Sequence, residues 1–483
     1  MHPQLNALKP LYGLLIMICI FGCKPEKFTT NTADKLSFNQ DTILFDTILS
    51  QLYSGTPKSV NRQFVVRNTH DKSIKTTIFL AGGDKSQFRI NVDGDAGTYF
   101  SDIEIRPHDS VFVFVEAYAN PNLDQFGKAL IIRDSIVFLT NGNFQNVQLL
   151  AWGQDAFYHM KDSIETDMVW ADKTKPYVVY DYFYVKPGTT LTIKEGVKVY
   201  FAPYSTLYTE GTLRVLGTAA EPVTFEGDRT SDKYSDKFSI YKYFNLPGQW
   251  FGLRFGWPSK ANSISHARIK NATYGVFIDS SSFDGQPTVS IFNTSIQNMA
   301  AHAVRGKRST VKIENSILAN CGSACLYTYK GGDYDLRHVT ISGYCDFGGG
   351  NDPALAVTNR LRNGFGQVVE TYPGLKFKFL NSIVYGELTD EIVMDIDASV
   401  ISELPTVLGS ILKTSNTSLN QTGTQNKINI DPKFKSIAKY RFDLDTLSSA
   451  QNNGILLTPP INFDYGVNPR DSKPDAGAYE RIE

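Results

Sequence analysis

Five decapeptides decide the architecture: NSISHARIKN (262–271), VSIFNTSIQN (289–298), VKIENSILAN (311–320), YDLRHVTISG (334–343) and FKFLNSIVYG (377–386). They align on His266, Asn293, Asn315, His338 and Asn381. Two residues earlier stand Ile264, Ile291, Ile313, Leu336 and Phe379; three residues later stand Ile269, Ile296, Leu318, Ile341 and Val384. All ten flanking slots are apolar in a chain that is 42% hydrophobic. Five residues past the reference position come Asn271, Asn298, Asn320, Gly343 and Gly386. The reference residues are 27, 22, 23 and 43 positions apart. A period in the low twenties, with short apolar runs broken by Asn and Gly, marks a solenoid of stacked coils.

The two apolar slots are separated by an odd number of residues, whereas a straight strand puts only even spacings on one face. Both slots reach the core only if the chain bends between them. The Asn or His lies at that bend, and Asn tolerates left-handed backbone better than most residues. Stacked Asn amides also hydrogen-bond from coil to coil in parallel stacks. Asn or Gly at the later slot marks a second turn. The reading is all-β, a right-handed parallel β-helix rising ~4.8 Å per coil. The 43-residue step reads as one coil plus an insertion within 345–374, a Gly- and Pro-rich stretch expected to leave the stack as a loop.

With 48 basic and 49 acidic residues the net charge is −1, which argues against a dedicated nucleic-acid binder. Lys9 precedes an apolar run over 11–21 that is too short to span a bilayer as a helix and reads as a signal peptide covering 1–22. Ile20-Phe21-Gly22-Cys23 resembles the bacterial lipobox. That resemblance implies lipidation of Cys23, and several acyl chains supply the multiple signals that stable anchoring requires. Residues 24–37 are polar and form, with Cys23, a tether of about 45 Å at full stretch. The expected location is the cell envelope, anchored by lipid in the outer membrane and facing the periplasm or the cell surface.

Residues 38–160 carry short alternating runs separated by turns such as Asn68-Thr69-His70-Asp71 and Asn141-Gly142-Asn143, as in an immunoglobulin-like β-sandwich. A second domain spans 172–483. VKPGTTLTI (185–193), GVKVYF (196–201), GTLRV (211–215) and WFGLRF (250–255) resemble the opening coils of right-handed β-helix repeat proteins. DPKF (431–434) and DAGAYE (475–480) resemble the closing segment of the same family, whose members include bacterial envelope lipoproteins. The solenoid leaves an open sheet edge at each end, which templates aggregation unless covered. The sandwich is expected over the first edge and the tail after Leu456 over the last.

Cys19 falls in the signal. Cys321 and Cys325 align with inward slots and read as buried free thiols, with a Cys321–Cys345 bridge across adjacent coils as the alternative. No His pair completes a zinc set.

The chain contains no phosphate loop, nucleophile elbow or His-Glu-x-x-His motif. Asp395 and Asp397 flank Ile396, so both carboxylates share one strand face. Such a pair holds calcium or performs acid–base work on sugars, or it forms the solvated face of a strand. The insertion adds Asp346, Asp352, Arg360 and Arg362. β-helix polysaccharide lyases of the pectate type combine acidic Ca2+ ligands with a basic proton abstractor, which makes Asp346 and Asp352 metal candidates and Arg360 and Arg362 catalytic ones. No spacing here matches such an enzyme's motif. Arg305, Lys307, Arg308 and Lys312 form a basic strip for acidic glycans or a solvated face. Tyr241, Tyr243 and Trp257 belong to a dense aromatic segment whose exposed rings would stack on sugars, while Trp250, Phe251 and Phe255 are expected in the core. His266 and His338 fill the bend slot in place of Asn.

Two functions remain open on this sequence. One is a non-catalytic, lipid-anchored protein whose β-helix binds a polysaccharide or a surface protein. The other is a polysaccharide lyase or glycoside hydrolase on the same scaffold, with Ca2+ as the cofactor in the lyase case. A structural spacer in a surface assembly is a third. The fold serves all of them and does not choose.

Overall fold

All five reference residues are left-handed: φ is 50° at His266, 46° at Asn293, 46° at Asn315, 52° at His338 and 49° at Asn381. The later slot is left-handed too, with φ of 63°, 66° and 54° at Asn271, Asn298 and Asn320. Each bend breaks the strand alternation once, and apolar residues on both sides of it then point inward. The computed structural model describes residues 27–49, 61–117, 130–228, 246–280, 286–347 and 351–481. Among these residues the structure is all-β, with short 3-10 turns and no α-helix.

The chain divides after Gln154 into two units. In the first, one five-stranded sheet runs Ser37–Phe38, Arg62–Arg67, Ser110–Ala117, Phe88–Val92, Asp95–Gly97. The other runs Thr42–Leu49, Asn143–Gln154, Leu130–Thr140, Ile74–Leu80, Tyr99–Ile105. Alternation supplies the core: Ile74, Thr76, Ile78 and Leu80 are buried while Lys75 is exposed. Ile74, Ile78 and Leu80 belong with Phe64, Phe88, Val113, Ile136 and Leu149 to one apolar cluster.

The second unit is a 25-stranded parallel sheet in which each strand pairs with one a circuit later in sequence, an arrangement compatible with a β-helix. Phe157–Ile164 pairs in parallel with Tyr177–Val185, so the strand that straddles the expected boundary at 160 belongs here. Registers confirm the columns drawn from the decapeptides. Ile264, Ile291, Ile313, Leu336 and Phe379 lie in consecutive register, and so do Ile269, Ile296, Leu318, Ile341 and Val384. All are buried in one continuous core. Three sets of strands make the circuit: the Ile264 column, the Ile269 column, and a set comprising Thr206–Thr209, Gly252–Phe255, Tyr274–Ile278, the first half of His302–Glu314, the first half of Leu326–Arg337, Leu355–Thr358 and Ile392–Asp395.

Three expectations change. The amide ladder runs through the later turn: Asn298 Nδ2 donates to Asn271 Oδ1 at 2.6 Å, and Asn320 Nδ2 donates to Asn298 Oδ1 at 2.9 Å. At the first bend one rung-to-rung contact forms, Asn381 Nδ2 to His338 Nε2 at 3.1 Å, while Asn315 and Asn381 donate to the carbonyls of Phe463 (2.6 Å) and Ile455 (2.7 Å). The 43-residue step is one circuit with two excursions, because Leu355–Thr358 stays in the parallel sheet between them. The second excursion carries its own hairpin, Arg360–Arg362 against Val368–Thr371. Finally, the tail lies along the outside of the rungs, where Ala478 N donates to Thr340 Oγ1 and Gly477 N to the Asn381 carbonyl. Outward residues there are apolar and need cover: Ile317 and Ala319 pack with Phe442 and Ala478, and Ile383, Tyr385 and Ile411 with Leu444, Ala450 and Ala476. Ile396, Ile401 and Leu419 pack against the late part of the main core. Cys321 and Cys325 are buried free thiols, and Cys345 is free and half-buried, so no Cys321–Cys345 bridge forms.

Candidate functional site

In the third set of strands alternation turns every second side chain outward, and parallel register stacks those side chains from rung to rung. The outward column reads Tyr184, Tyr208, Arg254, Phe277, Arg305, Tyr327, Ala356, Val393. From Tyr184 to Tyr327 every member is aromatic or a guanidinium, and every one is half-buried. The Tyr184 and Tyr208 rings stack at 5.3 Å and 14°. The Arg254 guanidinium lies 5.0 Å from the Tyr208 centroid and 5.9 Å from that of Phe277. Arg305 follows, 4.4 Å from Phe277 and 4.8 Å from Tyr329, and its Nη2 donates to the Tyr329 hydroxyl at 2.8 Å. Tyr329 and Tyr327 are parallel at 5.4 Å. Alternating cations and ring faces attract one another, so the column is held in one arrangement before any ligand arrives. Phe251, Tyr274 and His302 flank it, in contact with Phe277 and Tyr327. Phe251 therefore leaves the core that the sequence assigned it, whereas Trp250 and Phe255 are buried.

The acids beside the column already have partners. Glu210 accepts from the Tyr184 hydroxyl and, at 2.6 Å, from that of Tyr208. Burial, reinforced by Glu210, pushes the Tyr184 phenol up to about 12 and raises Tyr208 in the same direction. Asp279 accepts from Arg254 Nε at 3.0 Å and Nη2 at 2.6 Å. His302 Nδ1 donates to the Ala324 carbonyl at 2.7 Å, which leaves Nε2 as the lone-pair nitrogen. Burial lowers the His302 pKa, so the ring is neutral at neutral pH.

The sequence candidates Asp395, Asp397, Arg360 and Arg362 come together where this face meets the hairpin. Arg362 grips Asp395 with Nε at 2.7 Å and Nη2 at 2.9 Å, and Arg360 Nη1 adds a contact at 3.0 Å. Asp397 lies 3.8 Å from Arg360 Nη2 and accepts from Ser399. The Arg362 hydrogen bonds hold the Asp395 carboxyl below the usual carboxylate range and raise the guanidinium in turn. Asp395 is thus ionised and spoken for, which suits an ion pair that pins a hairpin. Neither member is set to exchange a proton near neutral pH.

Asp346 accepts from the Tyr440 hydroxyl at 2.5 Å, and its backbone N–H donates to Asn320. Asp352 accepts from Ser323. Among the described residues no three metal-ligating groups cluster. Trp257 is 62% exposed. Tyr241, Tyr243 and Cys23 lie outside the described residues. The basic strip splits at the left-handed Arg308 (φ 44°): Arg305 joins the aromatic column, while Lys312 pairs with Glu314 and lies over Phe292 on the Ile264 side.

No family model and no curated protein matches the chain. Solved structures do. A GH87 alpha-1,3-glucanase catalytic unit from Streptomyces thermodiastaticus is 10% identical, covering 69% of this chain and 67% of that one, with a TM-score of 0.24. A GH87 alpha-1,3-glucanase catalytic domain in complex with nigerose is 10% identical over 83% and 86%, with a TM-score of 0.19. The E. coli chaperone DraB is 10% identical with a TM-score of 0.17; the match takes in 26% of this chain and spans 56% of the chaperone. Likenesses of this size carry neither a fold nor a function.

Proposed function

We propose that this is a lipid-anchored envelope protein that binds an extended glycan along the Tyr208–Tyr327 column without cleaving it. Residues 155–483 wind in this reading as a right-handed parallel β-helix, the hand taken by about 98% of parallel crossovers. The first unit is an immunoglobulin-like sandwich, and a lipid on Cys23 ties both to the outer membrane by a tether shorter than the expected 24–37, because Thr29 bonds Ser73 and Leu36 is buried in the first unit's core.

The column carries the proposal. Aromatic rings pack against the apolar faces of sugars, and Tyr208, Phe277 and Tyr327 recur at every second rung, about 9.6 Å, comparable with two sugar units of an extended chain. The committed acids support binding over catalysis. Glu210 holds two phenols, Asp279 holds Arg254 and Asp395 holds Arg362, which leaves none of the three free to protonate a leaving group.

The test is incubation of residues 24–483 with a panel of acidic and neutral polysaccharides. The expected result is retention of at least one polymer with no new reducing or unsaturated ends, and affinity about two- to tenfold weaker in Tyr208→Ala. New chain ends would establish the lyase or hydrolase alternative instead. For the anchor, Cys23→Ala in the full chain should move the protein from the membrane to the soluble fraction. Continued membrane association of that variant would remove lipidation from the account.

A further inference from the structure

Arg305 differs from the other guanidiniums of its face. Arg254 is neutralised by Asp279, and Arg360 and Arg362 by Asp395 together with Asp397. Arg305 has no carboxylate partner among the described residues; its side-chain contacts are the Phe277 and Tyr329 rings and the Tyr329 hydroxyl. Nη2 carries two hydrogens and gives one to Tyr329, so among the described residues one two-pronged edge, Nε with Nη2 or Nη1 with Nη2, is left open. Two residues further on, Lys307 lies in register with Tyr329 and likewise has no acidic partner among the described residues. His302, at the start of the same strand, is neutral and adds no charge of its own. A half-buried guanidinium held between two rings has already lost rotamer freedom, so a ligand does not have to order it. Its planar fork fits a carboxylate through two parallel hydrogen bonds.

We infer that the glycan is a polyuronate, and that Arg305 receives a sugar carboxylate while the outward parts of the Phe277, Tyr327 and Tyr329 rings pack against the sugar. This rests on the glycan-binding reading above and adds the charge class. The uncompensated positive charge of Arg305 and Lys307 in the middle of an otherwise paired face is the complement that selects an acidic chain. Tyr327 and Tyr329 continue the stack past Arg305, so adjoining sugar units meet ring faces on either side of it.

The experiment measures binding of residues 24–483 to three soluble polymers: a polyuronate, a sulfated neutral polysaccharide and an uncharged one. Wild type should prefer the polyuronate over both others, with affinity falling as salt rises. Arg305→Gln should weaken polyuronate binding about 10- to 100-fold, a markedly larger factor than its effect on binding of the uncharged polymer. Arg305→Lys should restore only part of the loss, because an ammonium offers no fork. Lys307→Gln, at a position that packs less, should weaken polyuronate binding severalfold and serves if the Arg305 variants fail to fold. Equal polyuronate affinity in Arg305→Gln and wild type, or tighter binding of the sulfated polymer, would overturn the inference. Binding of the uncharged polymer alone would also overturn it and leave the glycan-binding reading standing, whereas binding of none of the three would overturn both.

Discussion

Arg470→Ala is expected to destabilise the second unit by about 3–5 kcal/mol, the cost of removing one member of a buried ion pair. The Arg470 side chain is 2% exposed and that of its partner Glu480 is 9% exposed, with Nη1 to Oε2 at 2.9 Å. Nη2 also donates to Asn315 Oδ1 on the rungs and to the Gly477 and Ala478 carbonyls within the tail. One guanidinium thereby ties the tail to Asn315 at the first bend. Its loss strands Glu480 beside Asp475 and takes a donor from the buried Gly477 and Ala478 carbonyls, of which Ala478 keeps the Tyr465 N–H. Burial already raises the pKa of both carboxyls. A carboxyl whose folded pKa lies above its unfolded value costs stability at high pH. That cost disappears as pH falls through the folded pKa toward the unfolded one. Without Arg470 both values rise further, so the deficit of the variant should be larger at pH 7.5 than at pH 5. Urea unfolding of wild type and variant at the two pH values measures it. A deficit under about 1 kcal/mol at pH 7.5 would show that the tail is held by its apolar contacts alone.

Ile291→Ala and Ser290→Ala should separate sharply although the positions are adjacent. Ile291 is fully buried between Ile264 and Ile313, and truncation removes apolar contacts from both neighbouring rungs. The expected cost is about 2–5 kcal/mol. Ser290 is half-buried on the outward side of the same strand, and its loss should change stability by less than about 0.5 kcal/mol. The same unfolding experiment reads both. Equal effects would mean that the strand does not alternate between core and exterior as its register requires.

The rungs were legible because their signal is local. An odd spacing between apolar slots demands a bend, Asn is a residue that accepts it, and all five reference positions are left-handed. The inward cysteine slots were readable from the same register. The tail's position was less so, although a trace of it stands in the sequence. Ile317-Leu318-Ala319 and Ile383-Val384-Tyr385 are apolar at successive positions, so those strands bury both faces and something must cover the outer one. The ladder register was misjudged because Asn occupies both turns and composition does not say which amide finds another amide. The aromatic column was out of reach for a different reason. Tyr208, Arg254, Phe277 and Arg305 are separated by 46, 23 and 28 residues, and residues 229–245 break the period before it is established. Only strand register shows that they share a column. Asp395, Asp397, Arg360 and Arg362 were legible as residues but not as one cluster, since spacing reveals carboxylates and guanidiniums but not that they pair with one another.

Every functional statement depends on one outward column of stacked rings and guanidiniums offering itself to a sugar chain. The most direct measurement is a crystal structure of residues 24–483 grown with a uronate oligosaccharide. The account predicts the sugar lying along the rungs over Tyr208, Phe277 and Tyr327, with a carboxylate on Arg305. An oligosaccharide bound elsewhere on the protein, with that column bare, would contradict it.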